Sequence, residues 1–139
     1  MDITPLVRDG QQIIQSYTAG VFRISGISYE GAVIVAPSET MTWDSAPATI
    51  DDLSVESFQN LIEKSDEIDV VLLGTGSKMS FVSPKLRQEL SAKGLPVDVM
   101  DTGAACRTYN VLMAEGRRVV AVLMAVSYTH LTLPTTPYV

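Results

Sequence analysis

The sequence holds one cysteine and one histidine in 139 residues, and each scarcity removes a class of chemistry. A lone cysteine, Cys106, forbids an internal disulfide, which fits a reducing compartment. The histidine, His130, falls in the stretch from Ser127 to Val139, which is uncharged, rich in Thr and Pro, and without periodicity. That stretch resembles translated cloning-vector sequence, so 127–139 is set apart as a tail and 1–126 is taken as a single domain. Without His130 the remainder has no histidine, which excludes Ser-His-Asp and Cys-His nucleophile systems and His-ligated zinc within one chain. Basic clusters are also scarce. Only Arg117 and Arg118 adjoin, and with a net charge of −6 a nucleic-acid partner is not expected. No apolar run is long enough to span a bilayer, and the opening Met1-Asp2-Ile3-Thr4-Pro5 is acidic where a secretory signal is basic. The expectation is a cytoplasmic, monomeric chain with no membrane insertion.

What is present suits one globular core. A hydrophobic content of 46% with 19% charged residues is ordinary for a folded domain, and a domain of this size buries roughly two-thirds of the surface its unfolded chain exposes. The first third is rich in β-branched and aromatic residues: Gln12–Tyr17, Val21–Ile24 and Ala32–Ala36 read as strands of a meander, punctuated by Gly20, Gly26, Gly31 and Pro37. Met41–Asp44 adds a short strand before the loop around Pro47. Trp43 suits either a partner-binding surface or a core anchor, and the area a Trp buries favours the core.

From about residue 51 the period changes. Ser54 caps a helix carrying Val55, Phe58, Leu61 and Ile62 on one face. Asp69–Leu73 is a continuous apolar strand of the kind found in parallel sheets, Ser83-Pro84 opens a second helix, and Leu95–Met100 is the next strand. Asp101 or Thr102 caps a helix from about Ala104 to Ala114, and Arg118–Met124 closes the pattern. The fold class is therefore α/β and three-layered: an N-terminal β-meander, then a βαβαβ unit with right-handed connections and a mixed, mainly parallel central sheet.

Two of these strands end alike, in Gly74-Thr75-Gly76 and in Asp101-Thr102-Gly103. Carboxyl ends of neighbouring parallel strands form the crevice where open α/β sheets bind ligands, and a following helix N-terminus favours a small anion. Candidate ligand-binding residues are accordingly Gly74, Thr75, Gly76, Asp101, Thr102, Cys106, Arg107 and Asn110. Tight turns that need glycine explain Gly74-x-Gly76 equally well, and Thr75 and Thr102 can be structural caps. Cys106 beside Arg107, near a helix start, has the setting of a depressed thiol pKa. The run Ala104-Ala105-Cys106 also reads as close helix-to-sheet packing. Arg107, Tyr109 and Asn110 can equally make structural hydrogen bonds. Neither a cofactor nor a metal is expected. Gly74-x-Gly76 is not a dinucleotide fingerprint, Gly76-Ser77-Lys78 lacks the phosphate-loop spacing, and the carboxylates Asp51, Asp52, Glu63, Asp66 and Glu67 read as a solvated face.

Longer motifs carry a resemblance. Leu72 to Gly76, then Phe81 and Pro84, then Met100 to Leu112 with its Ala-Ala-Cys-Arg-Thr-Tyr-Asn run, then Glu115 to Val119, are together similar to the small Mth-type domains of unknown function. That family includes the mitochondrial respiratory complex I assembly factor three and an adipogenesis-associated protein. The resemblance implies a three-layer β/α domain and, through those members, a protein-binding or assembly-factor-like module with a protein partner. It brings no catalytic residues. The alternative is a small-anion or nucleotide-binding protein or enzyme using the crevice between Gly74–Gly76 and Asp101–Arg107, with a reactive Cys106 thiol as a further variant.

Overall fold

The computed structural model describes residues 11–18, 20–43, 46, 52–77 and 80–125. The tail 127–139 with His130, the opening five residues, and the loop around Pro47 lie outside them. Five strands come first: β1 (Ile14–Thr18), β2 (Val21–Ile24), β3 (Ile27–Glu30), β4 (Val33–Ala36) and β5 (Glu39–Thr42). After them come α1 (Gln59–Ile62), β6 (Val70–Gly74), α2 (Pro84–Ala92), β7 (Val97–Met100), α3 (Thr102–Ala114) and β8 (Val119–Leu123).

β1, β2 and β3 form an antiparallel meander. The second hairpin turns at Ser25 and Gly26, both at positive φ (47° and 86°), the backbone that a two-residue turn needs to match the twist of its strands. β3 is a strand the polarity pattern does not announce, because Ile27 is more than half exposed and the strand buries no residue fully.

The second sheet has the order β5-β4-β8-β6-β7. β5, β4 and β8 pair antiparallel, while β8, β6 and β7 run parallel. Side chains alternate across this sheet as the pleat requires. On one face Ile34, Val71, Leu73, Val120 and Val122 pack with Phe58, Leu61, Leu86 and Leu90. On the other, Val33, Val35, Leu72, Val119, Ala121 and Leu123 pack with α3 and the inner side of the meander. Three layers result: α1 and α2, the five-stranded sheet, and α3 beside the meander. β6 and β8 are covered on both faces, which explains their unbroken apolar runs.

The connections position the site. β6 passes to its neighbour β7 through α2 on one face, and β7 returns across β6 to β8 through α3 on the other. A reversal of direction with crossovers of one hand puts successive helices on opposite faces, so the loops after β6 and β7 part at the carboxyl edge.

The region expected as one helix from Ser54 is broken into a 3-10 turn, Val55–Phe58, and the four residues of α1. Trp43 accounts for the break. It is buried, its ring lies 5.9 Å from that of Phe58, and its Nε1 donates to the Ser57 carbonyl at 2.9 Å. A regular helix would offer that same carbonyl to the amide four residues on. Trp43 is thus a core anchor that also shapes its neighbours.

Candidate functional site

The carboxyl edge of β6 and β7 is closed by short hydrogen bonds between its own loops. Thr75 donates through its backbone N (3.0 Å) and Oγ1 (3.3 Å) to the Met100 carbonyl, and Oγ1 accepts from Ser80 N at 3.0 Å. Thr102 N donates to the Gly76 carbonyl, while Thr102 Oγ1 accepts from Gly76 N and donates to the Met124 carbonyl, each at 2.9 Å. Met124 N in turn donates to the Gly74 carbonyl at 2.9 Å. The ends of three parallel strands are thereby tied through one fully buried hydroxyl.

Gly74 is glycine for want of space. A Cβ there would stand 2.9 Å from Thr102 Cα and 3.0 Å from Leu123 Cδ2. Asp101 begins α3, its Oδ1 accepting from Ala104 N at 2.8 Å. The helix end, with its partial positive charge, is therefore already met by a carboxylate of the chain itself. Gly74, Thr75, Gly76, Asp101 and Thr102 are brought together, as a mutual knot.

The other candidates diverge along α3. Asn110 faces β1: its Oδ1 accepts from Ile14 N at 2.9 Å and its Nδ2 donates to the Ile14 carbonyl at 2.8 Å. One amide side chain thus stands in for a neighbouring strand at the edge of the meander. Tyr109, fully buried, donates to the Gln12 carbonyl at 2.8 Å, and its burial raises the phenol's pKa. Arg107 points outward and is exposed.

Cys106 is 3% exposed in the layer between α3 and the sheet. Burial pushes its thiol up to about 12, against which the nearby Arg107 charge is the smaller effect. Of the two readings of Cys106, close packing is the one its burial supports: loss of hydration outweighs the helix end and the arginine. In the folded protein Cys106 should react with iodoacetamide at pH 8 about a thousandfold more slowly than in urea, because three pKa units cost that factor in thiolate. Alkylation of the folded chain at the unfolded rate, followed by mass spectrometry, would refute the burial.

Two features escaped the sequence pattern. Phe81 is 77% exposed in the segment between β6 and α2, next to the Ser80 that is bonded to Thr75. At the other side of the molecule, a hollow of about 250 Å³ opens over Ile34, Met41, Leu61, Ile68 and Val120, beside the β4–β5 turn. It continues through Ile34 and Met41 into a hollow of about 290 Å³ against Trp43 and Glu56. Edge strands and grooves leave no periodic mark, since their residues lie far apart in the chain.

Among the described residues no group of three or more His, Cys, Asp or Glu could hold a metal ion, and no helix is long and apolar enough to cross a membrane.

Comparison with known proteins gives this architecture relatives. An uncharacterized protein of Rhodobacter capsulatus is 34% identical over 111 residues, covering 80% of this chain and 82% of that protein. NADH dehydrogenase (ubiquinone) 1 alpha subcomplex assembly factor 3 of Danio rerio is 33% identical over 112 residues, covering 81% of this chain, which spans 63% of that protein's length. Among solved structures, an outer membrane protein from Bartonella henselae superimposes with a TM-score of 0.75 at 38% identity, covering 85% of this chain and 98% of its own. A Mth938-like domain from Bordetella pertussis superimposes with a TM-score of 0.73 at 26% identity, covering 91% and 95%. The family model described as "Protein of unknown function (DUF498/DUF598)" matches residues 14–124, from the first strand to just past the last, and the chain belongs to that family.

Proposed function

We propose that this chain is a protein-binding module of the assembly-factor kind, which docks on a partner protein without transforming a substrate. The observation that carries this reading is Phe81. It is 77% exposed, and aromatic anchors are typical of interface hot spots. Its backbone is held one residue earlier, where Ser80 N donates to Thr75 Oγ1. An anchor positioned beforehand loses less freedom on binding.

In this reading the loop pair Gly74–Gly76 and Asp101–Thr102 is the rigid footing of the Phe81 segment. Its hydrogen bonds run between its own members, and Asp101 sets a negative charge where an anion would have to lie. The kinship with proteins named as assembly factors supports the same reading. So does the net charge of −6, which disfavours nucleic acid. A cytoplasmic place of work goes with it, the one cysteine being free, and a monomeric state is part of the proposal.

Phe81→Asp tests the proposal. The variant should keep the wild-type melting temperature, since the ring is mostly in water. Its affinity for a partner identified by cross-linking in the native host should fall about thirtyfold, the factor that marks a hot spot of 2 kcal/mol. Equal affinity of the two proteins, or the absence of any partner that cross-links near Phe81, would overturn the reading.

A further inference from the structure

We infer that the outer edge of β5, with the hollow beneath it, is a second docking surface that takes an extended peptide strand of a protein partner. The strand adds to the sheet next to β5 and carries an apolar and a basic side chain two residues apart. The inference rests on the protein-binding reading but uses a different part of the molecule from Phe81.

β5 ends the five-stranded sheet. Trp43 N donates to the Ala32 carbonyl, so that pair exchanges hydrogen bonds. Alternation along the antiparallel ladder then makes Ile34↔Met41 and Ala36↔Glu39 the bonded pairs and Val35↔Thr40 the unbonded one. Thr40 accordingly directs its backbone N–H and C=O away from β4, outward from the sheet. An incoming strand can exchange two hydrogen bonds there.

The pleat determines what else that strand must carry. The residue level with Thr40 points to the meander side. Its two flanking residues point to the α1 side, where Met41 and Glu39 line the hollow. Level with Met41 the floor is Ile34 and Leu61, which suits a Leu or Val. Level with Glu39 the rim is charged. Glu39 is balanced by Lys64 at 3.6 Å, and Arg118 by Asp69 at 2.8 Å. The hollow is lined by Glu39, Lys64, Glu67 and Arg118, and Arg118 is shared between the charge of Glu67 and its pair Asp69 just outside, so three carboxylates face two cations and the excess selects Lys or Arg at that position.

The probe is the peptide acetyl-Ser-Thr-Leu-Thr-Lys-Thr-Ser-amide, titrated into the full ¹⁵N-labelled chain. The Thr40 amide should shift saturably and exchange more slowly with solvent. A peptide with Lys changed to Glu should bind about fivefold more weakly, the scale of an exposed ion pair, and Glu67→Lys should reverse that preference. Met41→Lys should abolish binding of both peptides. Glu67 is exposed, so its variant keeps the test valid should Met41→Lys unfold.

Shifts that leave β5 untouched, or a preference that Glu67→Lys does not reverse, would overturn the assignment. So would a wild-type dimer in sedimentation that Met41→Lys dissociates, which would make the occupant a second copy. A partner that binds through Phe81 with equal affinity to wild type and Glu67→Lys, while the peptide fails, would remove this surface and leave the protein-binding reading standing.

Discussion

Replacing Thr102 by Val lowers the free energy of unfolding by about 3 kcal/mol, whereas Thr102→Ser lowers it by only about 1. Valine has the shape of threonine, so the difference isolates the hydroxyl. That oxygen receives Gly76 N and gives its proton to the Met124 carbonyl inside a site with no exposure at the threonine itself. Its loss strands a buried donor and a carbonyl at once, and each such group costs roughly 1–3 kcal/mol in lost hydration. Serine keeps both bonds and gives up one buried methyl. Urea unfolding followed by circular dichroism measures the pair. A valine variant as stable as the serine variant would show that the strand ends do not depend on this knot.

Gly74→Ala should be nearly as damaging, at about 2–3 kcal/mol. The added carbon would meet the Thr102 backbone and the Leu123 side chain, and the backbone cannot step aside without moving α3 off the sheet. Gly103→Ala is the instructive contrast. There the added carbon meets the end of the Tyr17 side chain and, at 3.3 Å, Asp101 Oδ1, with no backbone in the way, and alanine is favoured over glycine in a helix by up to about 1 kcal/mol, less in the first turn where Gly103 stands. Gly103→Ala should stay within about 1 kcal/mol of wild type on that balance. Thermal unfolding of both variants decides it, and equal losses at the two positions would contradict the packing described.

How legible these features are in the chain depends on whether their causes are local. β6, α2, β7, α3 and β8 show themselves, because a two-sided apolar strand or a capped amphipathic helix is written in consecutive residues. Boundaries shift by a residue or two, as with α3, which starts at Thr102 with Asp101 as its cap. β3 is missed because it is held by a turn and a neighbour, with no buried face of its own. The broken helix at Ser54 is misread because the indole that disturbs it belongs to Trp43.

The site divides along the same line. Thr75 and Thr102 are recognisable as the ends of parallel neighbours, and they do meet. The role of Asn110 is set by Ile14, distant in sequence, and no spacing rule reveals it. Cys106 and Arg107 are adjacent in sequence, yet the 100° between successive helical residues buries one and exposes the other.

The place of β8 bears on how the protein comes into being. It is the last strand among the described residues, yet it lies between β4 and β6, so Val33, level with Thr42 on one side, meets Leu123 on the other. Tyr109 and Asn110 likewise wait to fasten Gln12 and Ile14. A ribosome releasing this chain from its N-terminus exposes the meander and the β4–β5 hairpin well before their covering exists. Contacts of such long sequence separation make folding slow and leave early strands open to misassociation. Before Val119 emerges, the β4–β5 and β6–β7 pairs lack the strand that bonds to both, and side-chain bonds such as those from α3 to Gln12 and Ile14 are what link the early and late halves.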